Sequence, residues 1–410
     1  MTDRLIRALG YKLWQLGFFG TLRFLATRIA GRLSSSSPSQ ILLPQKRNVA
    51  KSYGMFCDTD IALTDDGLDP AGWMNWILPP FSIGSGGHLN IFRMVAMLEG
   101  EGVRIRLHFL GDTGCADPAE VSDLINEHFV PLKAEVVLGV QTMRPAEFVV
   151  ATSWDTAYWA AKAPAAGHRL YFVQDFEPYF YPVGSEYAFA ERTYHFGLTG
   201  ITAGDWLAEK LSREYGMKTF PFGFSYDKDL YSPKPRRPGP RRVFFYARHV
   251  TPRRGFELGL LALSELHLRL PDVEMVFAGW DASEFDVPFP HLNAGVVALD
   301  ELPELYSQCD VALVLSFTNL SLLPLEVMAC GCPVVSNQGP NVEWLLKDEQ
   351  NALLCAPTPA AIADALERIL VDSTLRDRIV AGGLAFARQT DWPREGRRVA
   401  KVLNELRVTS

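Results

Sequence analysis

Residues 316–337 read SFTNLSLLPLEVMACGCPVVSN, and the fold class follows from the way this stretch alternates. An apolar run, Val311 to Leu315, feeds a polar turn at Ser316–Asn319, and a helix is expected to start near Ser321. Ser321 is of the type that caps a helix, and Pro324 falls in the first turn, where a missing N–H does no harm. Gly331 should end the helix, and Pro333–Ser336 reads as the next short strand. A strand, a turn and a helix start aim free backbone N–H groups and a helix dipole at one spot, which suits a phosphate or diphosphate. Glu326 lies about one turn inside the helix, too deep to cap it. Its carboxylate would accept hydrogen bonds from a hydroxyl-bearing ligand such as a ribose. An ordinary buried turn with a solvated glutamate would leave the same pattern.

Working outward, the second half of the chain repeats this unit. Val243–Ala247 (VFFYA), Val273–Ala278, Gly295–Leu299, Val311–Leu315 and Pro333–Ser336 read as strands alternating with helices. Short apolar strands alternating with helices imply a parallel sheet covered on both faces. Arg248 and Arg254 follow the first of these strands, six residues apart across a turn. They can converge on one anion, and the planar guanidinium fork suits phosphate oxygens. Two arginines, the Leu320–Leu322 helix start with Ser321, and Glu326 at adjacent strand ends describe a nucleoside diphosphate site. Thr318 and Asn319 in the turn, Gly279 after Val273–Ala278, Leu299 closing Gly295–Leu299, and Gly86 and Gly87 of the first half complete the donor-side candidates. No Walker A sequence and no GxGxxG opening a first strand occur, which sets aside kinase-like and dehydrogenase readings.

The first half follows the same logic less regularly. Trp76–Pro79 leads into SIGSGGH (Ser82–His88), a helical pattern over Leu89–Gly100, then a strand at Ile105–Leu110. Gly86 and Gly87 allow close backbone approach by a phosphate, sugar or acceptor, although a plain tight turn explains them equally well. Phe148–Thr152, Leu170–Gln174 and Gly200–Thr202 read as further strands. Ligands of open α/β sheets bind outside the carboxyl ends of the strands, which makes Asp155, Gln174, Asp175 and Glu177 cleft candidates. A strand-end Asp is also often a helix or turn cap. His88, Asp155, Gln174 and Asp175 form the acceptor-side set. The loop Phe176–Tyr187 is rich in Tyr and Phe, which suits sugar C–H surfaces, a lid or a core plug. Pro233–Pro240 is Pro-rich and basic and divides two strand–helix arrays as a linker.

The 410 residues suffice for two domains, and 48% hydrophobic with 21% charged residues is a globular composition. The net charge of −7 is unevenly spread. Residues 1–47 hold eight Lys or Arg against Asp3 alone, and the rest holds thirty-two bases against forty-six acids. An acidic body with a basic apolar tail speaks against nucleic-acid binding and for a membrane surface. Leu5 to Leu33 carries apolar residues at spacings of three and four with Trp14, Phe18 and Phe19, as in a basic amphipathic helix lying in the bilayer interface; packing on the protein's own body or on a twin subunit is the other reading. Ser34–Ser39 is a linker. No apolar run is long enough for a transmembrane helix. Six cysteines without paired metal spacing suggest reduced core thiols in the cytosol. Asp58-Thr-Asp60 and Asp227-Lys-Asp229 fit the loose DxD pattern of metal-using transferases, which chance explains better, so no metal site is expected.

These residues carry a resemblance to the donor half of glycosyltransferase family four, the retaining GT-B enzymes. Arg248 matches the family's Arg, Arg254 stands in for its Lys, and Glu326 matches the second of two donor-contacting glutamates. Thr318 departs from the first. Gly86-Gly87, Asp227–Pro233, Asp300–Asp310 and the segment from Trp392 continue the likeness. FVQDFEPYFYP (Phe172–Pro182) and NLSLLPLE (Asn319–Glu326) resemble bacterial WsaF-type rhamnosyltransferases of surface-polysaccharide synthesis. The resemblance implies a GT-B fold: two Rossmann-like domains around a deep cleft, preceded by the basic helix. The expected division is 1–47 membrane-associating segment, 48–232 acceptor-side domain, 233–240 linker, 241–390 donor domain and 391–410 a helix crossing back. It further implies dTDP-L-rhamnose as donor, a glycan or lipid-linked glycan as acceptor, retention, no metal or other cofactor, and a place on the inner face of the cytoplasmic membrane. Arg248 and Arg254 would stabilise the leaving diphosphate, with Asp175 or Glu177 as nucleophile if displacement is double. A catalytically inactive membrane scaffold, a nucleotide-sugar epimerase and a phosphorylase are the rival readings.

Overall fold

The computed structural model of the chain describes residues 53–56, 61–64, 67, 69–164 and 166–408. The amphipathic segment, the Ser-rich linker and Asp58-Thr-Asp60 lie outside the described residues. The first half builds a seven-stranded sheet from β1 (Trp73–Leu78), β2 (Arg104–Phe109), β3 (Glu135–Leu138), β4 (Ala146–Ala151), β5 (Ala166–Val173), β6 (Thr199–Ala203) and β7 (Thr219–Phe222). The second half builds a six-stranded sheet from β8 (Arg242–Tyr246), β9 (Glu274–Ala278), β10 (His291–Gly295), β11 (Val311–Leu313), β12 (Val334–Asn337) and β13 (Leu353–Cys355). Every pairing in both is parallel, in the orders β3-β2-β1-β4-β5-β6-β7 and β10-β9-β8-β11-β12-β13. Each order reverses beside its own first strand, at β1/β4 and β8/β11, where a doubly wound sheet opens a crevice.

Alternation explains how both faces are covered. In β8, Phe244 enters the core shared with the first sheet, while Val243 and Phe245 enter the outer core against α6 (Phe256–Arg269) and α10 (Pro359–Val371). In β1, Met74, Trp76 and Leu78 face one way and Ile77 the other. Two expected boundaries shift. The strand read as Gly295–Leu299 lies at His291–Gly295, because Gly295 turns into the left-handed region (φ 63°), and Leu299 falls in an exposed turn. The edge strands β3 and β7, four residues each, escape the pattern because their side chains are mostly half-exposed.

Residues 233–240 carry no helix or strand, yet they do not swing free. Lys234 N–H donates to Ser307 Oγ, Gln308 Nε2 donates to Pro235 O, Arg237 N–H donates to Gln308 Oε1 and Arg236 pairs with Asp310 at 3.0 Å. The terminal helix α12 (Trp392–Val408) returns to the first sheet and buries Val399, Val402, Leu403 and Leu406. Glu395 anchors it by accepting the Gly223 N–H at 2.8 Å, and Gly396 approaches so closely that a Cβ would stand 2.6 Å from Met97.

Candidate active site

The loop after β11 is held by a dense set of hydrogen bonds. Ser316 Oγ donates to the carbonyls of Thr318 and Asn319, and Arg254 Nη1 donates to Ser316 Oγ at 2.7 Å. Asn337 takes the Ser316 N–H and returns a bond to its carbonyl, while Asn341 Nδ2 reaches the carbonyls of Ser316 and Thr318. Asn319 lies where the two halves meet. Its Nδ2 donates to Gln174 O and Ala203 O, its Oδ1 accepts from Trp344 Nε1 and Leu320 N, and its N–H goes to Asp175. Such a fully paired network is rigid in a buried setting.

The helix after this loop, α8 (Leu323–Ala329), starts two residues later than expected. Leu322 is itself helical in φ and ψ, so Ser321 does not cap it. Pro324 does fall in the first turn, and Gly331 (φ 77°) closes the helix. Leu320's amide is spent on Asn319, and α8 has only seven residues, so the anion-binding weight shifts to the arginines. Arg248 follows β8, donates from Nε to Thr251 Oγ1 at 3.1 Å, and sets its guanidinium 5.6 Å from the Trp280 ring centre. Arg254 reaches over from the β8 side to the β11 loop, whereas Arg248 leans toward Trp280, which follows β9, so the two guanidinium groups flank the carboxyl end of β8. Gly255 is required between them and α6: its φ is 61°, and a Cβ would press 2.9 Å from the Phe317 ring. Gly279 (φ 115°) passes under the Tyr246 ring in the same way.

Glu326 points at Arg93 of α1 (Gly86–Gly100) in the first half, and Tyr231 hydrogen-bonds it. Burial pushes its carboxyl up to about 7, with Arg93 and Tyr231 opposing and Asp227 adding to the rise. Thr318 is buried and gives its hydroxyl to Asp175 Oδ2 at 2.7 Å. Asp175 Oδ1 accepts from Asn319 N–H and Phe176 N–H. Burial raises the Asp175 carboxyl, while Arg254 and these bonds pull it back. Arg253, between the two expected arginines' loop positions, lies 3.9 Å from Asp175 and 4.0 Å from the Phe180 ring centre. Sequence reasoning missed Arg253, Trp280 and Arg93; only the Arg253-Arg254 doublet signalled one of them.

On the first sheet, Gln174 Nε2 donates to Gly87 O and Asn90 Nδ2 donates to Gln174 Oε1, which ties the glycine loop to the end of β5. Gly86 and Gly87 are exposed at the start of α1, and His88 Nδ1 lies 2.9 Å from Ser85 Oγ. Burial lowers the His88 pKa, favouring the neutral ring. Two acidic candidates stand apart from this group. Asp155 bonds the Ser153 hydroxyl in a separate recess. Glu177 is enclosed: Oε2 takes the Trp154 N–H and Oε1 the Tyr171 hydroxyl, each at 2.8 Å, and burial pushes its carboxyl up to about 8. Asp227 is a turn residue, accepting the amides of Asp229 and Leu230. Among the described residues no three His, Cys, Asp or Glu side chains are grouped to hold a metal ion, and no helix is long and apolar enough to cross a membrane.

Two parallel α/β sheets facing each other across a crevice define the GT-B class. Similar structures bear this out: sucrose-phosphate synthase from Thermosynechococcus elongatus (TM-score 0.64, 14% identity, 82% of this chain and 100% of that one) and Anabaena HepE, solved with UDP and glucose (TM-score 0.63, 15% identity, 81% and 99%). The WsaF N-terminal domain profile matches residues 135–203 and the WsaF C-terminal domain profile matches residues 241–367. Over these two stretches the chain is similar to the WsaF family. It is 40% identical over 262 residues to the O-antigen biosynthesis protein RfbC of Myxococcus xanthus, covering 63% of this chain and 20% of that protein. It is 28% identical over 219 residues to a phosphatidyl-myo-inositol mannosyltransferase of Mycobacterium tuberculosis, covering 49% and 58%. The chain thus spans less than two thirds of either relative.

Proposed function

We propose that this chain is a retaining glycosyltransferase of surface-polysaccharide synthesis that uses a nucleoside diphosphate sugar, with dTDP-L-rhamnose as the donor of choice. The observation that carries the reading is the pair Arg248 and Arg254 at the carboxyl end of β8, with Arg248 beside Trp280 and Arg254 held by Ser316. The likeness to RfbC, an O-antigen biosynthesis protein, and to the mycobacterial mannosyltransferases, with the UDP and glucose bound by HepE, supports the class. The choice of rhamnose rests on the likeness to WsaF in residues 135–203 and 241–367.

The donor diphosphate lies against the two guanidinium groups, which neutralise charge as the bond from the anomeric carbon to the phosphate oxygen breaks. The acceptor oxygen bonds that carbon from the same face, and its proton passes to the departing phosphate oxygen. Supporting this front-face route, the four oxygens of Asp175 and Glu177 are all engaged by protein donors, which leaves neither a ready nucleophile. Two fixed guanidinium groups do the work of a cation here, so the proposed reaction is metal-independent. The acceptor is a glycan or lipid-linked glycan, and residues 1–33 hold the protein to the inner membrane surface. Deleting residues 1–40 should abolish binding to anionic liposomes; undiminished binding would refute that attachment.

Titration calorimetry with dTDP, UDP and GDP, with and without magnesium, tests the proposal. Magnesium-independent binding of dTDP alone is expected. A preference for UDP or GDP would keep the class and discard rhamnose. Binding of none of the three would favour the scaffold reading, for which the full engagement of Thr318 and Asn319 is the motivating observation. Formation of an isomerised nucleotide sugar without transfer would favour the epimerase.

A further inference from the structure

Arg253 precedes Arg254 in the loop after β8, yet its side chain rests on the first half of the molecule. Its guanidinium carbon lies 4.0 Å from the Phe180 ring centre, and its Nε lies 3.9 Å from Asp175 Oδ2. A separation of 3.9 Å is an ion pair but not a hydrogen bond. Nε is buried and has no hydrogen-bond partner among the described residues. Asp175 is too committed to supply one. Its Oδ1 accepts the Asn319 and Phe176 N–H groups and its Oδ2 the Thr318 hydroxyl, which takes three of about four acceptor positions.

The neighbouring charges act against this resting place. Burial lowers the Arg253 pKa, Asp175 opposes, and Arg254 and Arg248 lower it further. The three guanidinium groups thus share one electrostatic neighbourhood. An aromatic face attracts a cation but satisfies none of its N–H donors in the plane of the fork. A phosphate offers the same fork short, charge-assisted bonds and relieves the repulsion among the three cations.

We propose that Arg253 is a donor-sensing positioning residue: when a diphosphate arrives beside Arg248 and Arg254, its guanidinium leaves Phe180 and Asp175 for a phosphate oxygen. Phe180 ends the turn Glu177–Phe180 and is half-buried, and Val183 beyond it is exposed. Once the cation departs, this aromatic stretch loses a tie to the second half, and the first half registers that the donor is in place. Asp175 stays held by Thr318 and Asn319 throughout. That the anion is a nucleotide sugar rests on the transferase reading; the exchange itself needs only the diphosphate.

The test uses the full-length protein with Phe180 replaced by 4-fluorophenylalanine, titrated with inorganic pyrophosphate, thymidine and dTDP and followed by fluorine NMR and calorimetry. Pyrophosphate and dTDP should move the fluorine resonance, and thymidine should not. Arg253→Gln should abolish that movement and weaken both anions roughly fivefold through the lost charge-assisted bond. Arg253→Lys, which keeps the charge, should retain the movement. Phe180→Leu removes the ring that competes with the phosphate and should tighten both anions roughly two- to fivefold, the size of a cation–π contact. A purely structural contact would not give these opposite signs. Thermal melting of each variant serves as the folding control. A resonance left still by bound dTDP overturns the exchange and keeps the donor site. Unchanged affinity in Arg253→Gln, or weaker binding in Phe180→Leu, also overturns it. Pyrophosphate that binds and moves the resonance in a protein that ignores dTDP, UDP and GDP keeps the exchange and removes the nucleotide-sugar reading. Binding of neither anion overturns both.

Discussion

The two switch points of this molecule are built alike in topology and unlike in finish. At the second sheet, Ser316 to Asn319 is buried except for Phe317, and its polar atoms are paired with Asn337, Asn341, Trp344, Arg254 and Asp175. At the first sheet, Ser82 to Gly87 is largely exposed and is tied down chiefly through Gln174. On the proposed function, a diphosphate, one invariant group, gains from the preorganised loop, and acceptors that differ in shape gain from the looser one.

Asn319→Ala would break this contrast most severely. It strands the carbonyls of Gln174 and Ala203, the Leu320 amide and the Trp344 indole N–H, and should cost about 3–5 kcal/mol, read as a lowered denaturant midpoint. An unshifted midpoint would show that the junction does not hold the halves together. Arg254→Ala comes next. dTDP should bind roughly 10- to 100-fold more weakly by calorimetry, in keeping with about 1.5–3 kcal/mol for a hydrogen bond to a charged group. Arg248→Ala, whose side chain has fewer protein partners, should lose affinity with little change in melting temperature.

Gly87→Ala sharpens the comparison from the other side. Its φ is not positive and the nearest obstacle to a Cβ is Gln174 Nε2 at 3.7 Å, so stability should move by under about 0.5 kcal/mol. Transfer to the acceptor should nonetheless slow, because the backbone is no longer bare; full transfer rate would show that the glycine loop only turns. Glu177→Gln should have the smallest effect, visible only against pH. The folded carboxyl, at about 8, binds its proton more tightly than in the unfolded chain, so its contribution favours folding below the unfolded value and fades as pH rises toward 8. Melting temperature measured from pH 5 to 8 should therefore slope downward less in the variant than in the parent protein.

Much of the fold was legible because it is written in local pattern. VFFYA reads as a strand buried on both faces, and β8 is one. The arginines' positions relative to that strand were legible for the same reason. The partnership of Asp175 with Thr318 and Asn319 was not, since it joins residues 143 and 144 positions apart and depends on how two finished sheets dock. Glu177 read as a strand-end acid because sequence shows proximity to a strand, not which side of the sheet the next turn takes. It turned inward, to Tyr171 and Trp154. The Pro-rich stretch at 233–240 read as a linker, but its strapping was not legible, because Ser307, Gln308 and Asp310 lie some seventy residues away.

The returning helix has a consequence for synthesis. Val399, Val402, Leu403 and Leu406 fill the core beneath the first sheet, and Glu395 holds an amide 172 positions earlier. A nascent chain that has just finished β7 therefore still presents an uncovered apolar surface, and keeps presenting it while the whole second sheet is being translated. Maturation of the first half waits on the second, so a ribosome that stalls between them leaves a sticky intermediate for chaperones or proteases, not an independent half-molecule.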